Sequence, residues 1–177
     1  IRDYLQTKGF FDATVEVDRH AKPEQSQLDI VYKIDPGVKH KLVAVKIEGN
    51  KYFDTASIRE RMGVQPASFV LTNGRFSQPL LTEDVSSIKY LYLANGFLDV
   101  KVSAELVDNY EGKKAEMEVL VKIDEGKQTL VGKLAVEGAS GVNFERLEPR
   151  LSNEEGQPFS EANVSSDRDA ITYYYYN

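Results

Sequence analysis

The sequence predicts an α+β fold assembled from tandem copies of one small module, on three kinds of observation. The first is an internal repeat. Ile1–Val15 lines up with Ile88–Val102 at an offset of 87 residues, sharing Gly9-Phe10 with Gly96-Phe97 and Asp12 with Asp99. Ile34-Asp35 and Gly37 return as Ile123-Asp124 and Gly126, and Glu48-Gly49 returns as Glu137-Gly138, at an offset of 89. Phe76-Ser77 and Ile88 return as Phe159-Ser160 and Ile171 at an offset of 83. The second is paired segments of strict apolar–polar alternation, which mark half-buried strands, and the third is helix-period apolar stripes between them. A repeat at such a period makes the chain a train of similar supersecondary units.

The repeat assigns residues 1–37 to the C-terminal half of one unit (a helix and two strands). Residues 38–126 form a complete unit, and 127–177 the N-terminal part of a further one. The difference between the last two offsets places six extra residues between Met62 and Phe76. Because Tyr173–Asn177 stops where the pattern leads into Gly-Phe, the chain reads as an excerpt of a longer protein.

The complete unit opens with Lys41-Leu-Val-Ala-Val-Lys-Ile47, a β-branched stretch that ends at Gly49-Asn50 and reads as a strand. Asp54 is the N-cap of a short helix through Arg61 or Met62. Phe53 and Ile58 have the spacing of a hydrophobic staple, and Gly63 is the stop. A second helix starts near Thr82, with Glu83 and Asp84 in a first turn that favours acids. Val85, Ile88, Leu91 and Tyr92 give it an apolar stripe, and Asn95-Gly96 ends it. From Phe97 to Val107, Val100, Val102, Ala104 and Leu106 alternate with Lys101, Ser103 and Glu105. After a turn at Asn109–Gly112, Met117, Val119, Val121 and Ile123 alternate with Glu116, Glu118 and Lys122. The order is β-α-α-β-β. A hairpin with one more strand hides its apolar face only if helices lie over it, so a two-layer unit with one wet, charged sheet face follows.

Composition narrows the function classes. A net charge of -6 with a pI near 5.1 and no clustered Lys or Arg argues against nucleic-acid binding. With no cysteine, disulfides, thiolate metal sites and cysteine nucleophiles are excluded within this chain. His20 and His40 fall in turn or linker contexts and read as exposed histidines. Acidic pairs such as Glu83-Asp84 and Glu154-Glu155 read as solvated helix starts or loops. There is no phosphate loop, His-Glu-x-x-His or Gly-x-Ser-x-Gly, so neither an enzyme nor a cofactor or metal site is expected. Tyr90, Tyr92 and Tyr173–Tyr176, at helical spacing, should divide between core and surface.

The ordered set of Glu48-Gly49-Asn50, Phe53, Phe76-Ser77, Glu83-Asp84, Ile88, Tyr92, Gly96-Phe97 and Ile123-Asp124-Glu125-Gly126 resembles the POTRA domain. These polypeptide-transport-associated modules precede the membrane β-barrel in BamA-like outer-membrane assembly factors. The resemblance spans essentially the whole chain in three instalments. Two departures stand out: the longer stretch between Met62 and Phe76, and Gly138-Ala-Ser-Gly141, where Ala139 replaces the Asn and two residues are added before the aromatic Phe144.

The resemblance implies tandem POTRA units, each β-α-α-β-β with a three-stranded mixed sheet packed on two helices and the last strand central. It also implies a periplasmic location in a Gram-negative (diderm) bacterium and a chaperone-like role. The array would receive unfolded outer-membrane proteins and deliver them to a membrane β-barrel in the same full-length chain. The strand after the second helix would be an exposed edge on which an extended client adds as another strand. Its candidate residues are Asp99, Lys101, Ser103, Glu105 and Val107 in the complete unit, and Thr14, Glu16 and Asp18 in the first. Phe69, Val70 and Leu71 read either as extra core tucked against the helices or as a partner-binding loop. Gly37 and Gly126 are the expected hinges of a semi-rigid arm. The alternatives are the POTRA region of a two-partner secretion transporter, or a structural spacer that docks accessory lipoproteins.

Overall fold

The structure is a computed structural model that describes residues 1–137 and 144–176, without the side chains of Phe144 and Glu145. The departure at Ala139 and Gly141 therefore lies outside the described residues. Two compact units are distinguished, residues 1–87 with 102–122, and residues 88–101 with 123–177.

The first unit begins with a short helix α1 (Arg2–Thr7), then strands β1 (Thr14–Lys22) and β2 (Gln27–Asp35), which form an antiparallel two-stranded sheet. In this register Val15 faces Ile34 and Val17 faces Tyr32, as the alternation requires. Next come β3 (Lys41–Glu48), helix α2 (Thr55–Arg59) and helix α3 (Gln78–Leu93). Strands β4 (Lys101–Asp108) and β5 (Glu116–Asp124) follow. These strands make a three-stranded sheet in the order β3-β5-β4. The β3–β5 pair is parallel, with an irregularity between Leu42 and Ala44, and the short connection from β4 returns β5 antiparallel, so the sheet is mixed. That connection turns through left-handed backbone at Asn109, Glu111 and Gly112.

Asp54 caps α2 as its sequence position requires, accepting a 2.7 Å hydrogen bond from the Ser57 amide. Helix α3 begins four residues before the expected Thr82. The Ser77 hydroxyl accepts from the Leu80 amide (3.3 Å), Pro79 sits in the first turn, and the Gln78 amide donates to Gln6 Oε1 of α1 (2.9 Å). The early start moves Asp84 out of the first turn. It is buried, and its carboxylate accepts from the Gly63 and Val64 amides at 2.7 and 2.8 Å, locking the end of the α2 segment to α3. Leu42, Ile58, Met62, Val64, Phe76, Leu81, Met117, Val119 and Val121 are the buried core of this unit. The outer face of its sheet is charged: Lys122 reaches Glu105 across the strands at 2.6 Å, and Lys46 pairs with Glu48 at 2.7 Å. The Lys46 hydrogen bond holds the Glu48 carboxyl below its ordinary pKa.

In the second unit Ile88, Leu91, Tyr92, Phe97, Val100, Ile123, Leu147 and Leu151 are buried. Tyr92 donates to Glu125 Oε1 at 2.9 Å, and burial, with that bond, raises its phenol well above the ordinary range. Tyr90 is exposed, as are Tyr173, Tyr175 and Tyr176, so the tyrosines divide as expected. Helices α4 (Phe144–Leu147) and α5 (Glu161–Tyr176) follow. Asp167 of α5 accepts from the Ser152 and Asn153 amides, the counterpart of the Asp84 clamp at the repeat's own offset. Residues 131–137, which repeat part of β3, form no strand; an isolated bridge joins Leu130 to Pro158. A strand needs a partner ladder, and no neighbouring strand of this unit is present among the described residues.

Candidate functional site

The edges of the β3-β5-β4 sheet differ in what they offer. Central β5 has both sides paired, leaving outward amides and carbonyls on β3 and β4. On β3, Leu42 is already engaged by the segment between α2 and α3: its carbonyl accepts from Ala67 N (2.6 Å) and its amide donates to Asn73 O (3.0 Å). Along β4, no further strand pairs the outer side among the described residues. Lys101, Ser103 and Glu105 are exposed, while Val102, Ala104 and Leu106 are half-buried. The alternation therefore holds until Val107, which is half-buried rather than exposed. Asp99 precedes the strand, because the turn that closes α3 runs to Val100, where the amide donates to Phe97 O (3.3 Å). In the hairpin, Thr14, Glu16 and Asp18 lie on β1, whose outer side likewise has no strand partner among the described residues.

Gly37 and Gly126 both adopt positive φ, 63° and 70°. Each packs against an aspartate of the Gly-Phe turn: a Cβ at Gly37 would lie 3.4 Å from Asp12 Cβ, and one at Gly126 would lie 3.4 Å from Asp99 Cβ. Just beyond each glycine the backbone is pinned by the same bond. His40 N donates to Gly9 O and Thr129 N to Gly96 O, both at 2.7 Å, and Gln128 Nε2 adds a bond to Asn95 O (3.0 Å).

One histidine differs from its sequence reading. His40 is buried, only 6 % exposed, instead of solvated; its ring stacks on Phe11, with Nδ1 3.5 Å from Asp12 and Nε2 3.8 Å from Asp108. The turn that brings Gly9 O to its amide carries the ring inward. His20 is exposed as expected. In the 63–77 segment Phe69 and Val70 are exposed, so these two side chains are not extra core, while Leu71 is half-buried. Among the described residues no group of three His, Cys, Asp or Glu could hold a metal ion, and no helix is long and apolar enough to cross a membrane.

The POTRA family, described as a surface antigen variable number repeat, matches residues 41–126. The chain is similar to an outer membrane protein assembly factor of Treponema pallidum (25% identity over 158 residues, 88% of this chain and 18% of that protein). It is also similar to outer membrane protein assembly factor BamA of Nitratidesulfovibrio vulgaris (27% identity over 150 residues, 83% and 19%). It thus spans less than a fifth of the length of these relatives. The fold resembles the crystal structure of Haemophilus influenzae BamA POTRA3-5, with a TM-score of 0.61 and 17% identity over 97% of this chain and 65% of that one. With the strand order β3-β5-β4 and the helices that precede β4, these likenesses identify residues 41–126 as a POTRA domain of the BamA-like kind.

Proposed function

We propose that the chain belongs to a periplasmic array of polypeptide-binding modules in a diderm bacterium. The array receives unfolded outer-membrane proteins by strand addition and delivers them to a membrane β-barrel of the same full-length protein. The observation that carries this reading is the contrast between the edges: β3 is engaged at Leu42 by its own chain, whereas the outer side of β4 has no strand partner among the described residues. An extended client would satisfy that ladder mainly through its own main chain, which suits clients that share little sequence. Lys101, Ser103 and Glu105 flank the client without specifying it, and Thr14, Glu16 and Asp18 on β1 offer a second edge. In this reading the units divide at 37/38 and 126/127, and Gly37 and Gly126 are the places where the arm bends. The positive φ at both glycines supports it.

A second reading, a spacer that docks folded accessory lipoproteins, is favoured by the exposed Phe69 and Val70. The two are separated by proline substitution. Amides alternate sides along a strand, so of Ser103→Pro and Ala104→Pro one removes a bond to β5 and the other removes only an outward donor. The variant that keeps the native circular dichroism spectrum should lose at least about fivefold in affinity for extended outer-membrane-protein peptides. Unchanged peptide affinity in that folded variant contradicts strand addition at β4.

A further inference from the structure

Between α2 and α3 the chain exposes an apolar tip that neither the fold nor the sheet edge uses. Phe69 is fully exposed and Val70 is 85 % exposed. Ser68 N donates to Leu71 O (2.9 Å) and Leu71 N to Ser68 Oγ (3.1 Å), which closes a tight turn with these two residues at its apex. Such an apex ordinarily holds Gly, Asn, Asp, Pro or Ser. The base is fixed: Gln65 and Arg75 exchange backbone hydrogen bonds of 3.0 and 2.8 Å. Beside them Gly74 is buried at φ 80°, where a Cβ would lie 2.8 Å from Gln65 O. The tip is therefore held out from the body of the unit. It also lies in the stretch that is longer than its counterpart in the next repeat, so the module architecture does not demand it.

Charge supplies the second observation. The chain carries 28 Asp and Glu and a net charge of -6, yet no acid occurs from Arg61 to Thr82. Arg61 and Arg75, both exposed, flank the tip in sequence.

We propose that Phe69 and Val70 form a membrane-interface anchor that inserts into the surface of an anionic lipid bilayer, with Arg61 and Arg75 against the headgroup phosphates. A convex two-residue tip has no groove in which to seat a protein segment, whereas insertion at the acyl boundary removes both side chains from water. The absence of acids from this stretch of sequence lessens the repulsion that the rest of this chain would meet at an anionic surface. This inference is independent of strand addition at β4.

The chain has no tryptophan, so Phe69→Trp supplies a single fluorescent reporter. Vesicles of phosphatidylglycerol and phosphatidylcholine in excess should shift its emission to the blue, and brominated lipid should quench it. In the otherwise native chain, Phe69→Ser with Val70→Ser should lower partitioning to these vesicles about tenfold. Arg75→Gln should lower it about fivefold, an effect that raised salt reproduces. All these positions are exposed, so circular dichroism should be unchanged. An emission unmoved at millimolar lipid, or partitioning indifferent to the double serine variant, overturns the proposal. A shift produced by a folded partner protein and not by vesicles overturns it in favour of protein docking.

Discussion

The β1–β2 hairpin and the β4–β5 hairpin are copies of one pattern, yet their apolar faces have opposite fates. Leu28, Ile30, Tyr32 and Ile34 repeat as Met117, Val119, Val121 and Ile123 at an offset of 89. The first set is about half exposed or nearly so, whereas the second is buried throughout. Alternation alone specifies the strands in both hairpins, and the β1–β2 register pairs their apolar positions as it requires. Burial depends on what lies over the face. In the complete module α2, α3 and the chain between them contribute Ile58, Val64, Phe76 and Leu81 to the core that encloses β5. Over the β1–β2 hairpin the described residues supply no such layer.

The comparison breaks most visibly by truncating equivalent side chains. Met117→Ala should cost about 2–5 kcal/mol in urea unfolding, because Met117 is buried. Leu28→Ala, at the matching position, should stay within about 0.5 kcal/mol. Equal losses would show that the hairpin face is enclosed in solution. Two turn glycines sharpen the point at intermediate size. Gly96 has φ 86° and a Cβ there would collide with Thr129 O, whereas Gly112 has φ 77° with nothing within 4 Å. Gly112→Ala should therefore cost only the left-handed penalty, about 1–2 kcal/mol, and Gly96→Ala distinctly more, by thermal unfolding.

The smallest effect concerns the Asp54 cap. The Ser57 amide and hydroxyl hold its carboxyl below the ordinary aspartate pKa. A depressed folded-state pKa contributes stability above the unfolded value, about 3.9, that is lost as pH falls through the folded value. Asp54→Ala should thus lower Tm slightly at pH 7, with the gap to the parent closing in more acidic solution. A gap independent of pH would assign the loss to packing instead of to the charged cap.

Much of this arrangement was legible from residue spacing. The strand alternations, the stop at Gly96, the cap at Asp54 and the apolar stripe of α3 all rest on local periodicity, which tertiary contacts here reinforce. What was not legible depends on contacts distant in sequence. Asp84 reads as a dipole-complementing acid until Ser77, Pro79 and Gln6 start α3 early and bring it to the Gly63 and Val64 amides. The repeat did carry a signal for it: Asp84 recurs as Asp167 at the same offset as Phe76 and Phe159, whereas a solvated acid has no reason to recur. His40 looked like a linker histidine because nothing in its neighbourhood announces Phe11, 29 residues earlier, as its stacking partner. Of the candidate edge residues in the complete unit, Lys101, Ser103, Glu105 and Val107 lie on β4, whereas Asp99 precedes it. A turn residue and the first residue of a strand carry the same alternation, so the boundary was invisible. Phe69 and Val70 were ambiguous for a general reason: hydrophobicity records a preference for leaving water and says nothing about what receives the side chain.

The central claim, that the outer side of β4 recruits an extended chain, is tested most directly by NMR. The experiment uses the isotope-labelled 177-residue chain with an unlabelled outer-membrane-protein peptide. Strand addition predicts cross-strand nuclear Overhauser effects from the peptide backbone to residues 101–107, slowed exchange of their outward amides, and no such effects along β3 near Leu42. Peptide contacts confined to β3, or binding that leaves the β4 amides exchanging as before, would contradict it.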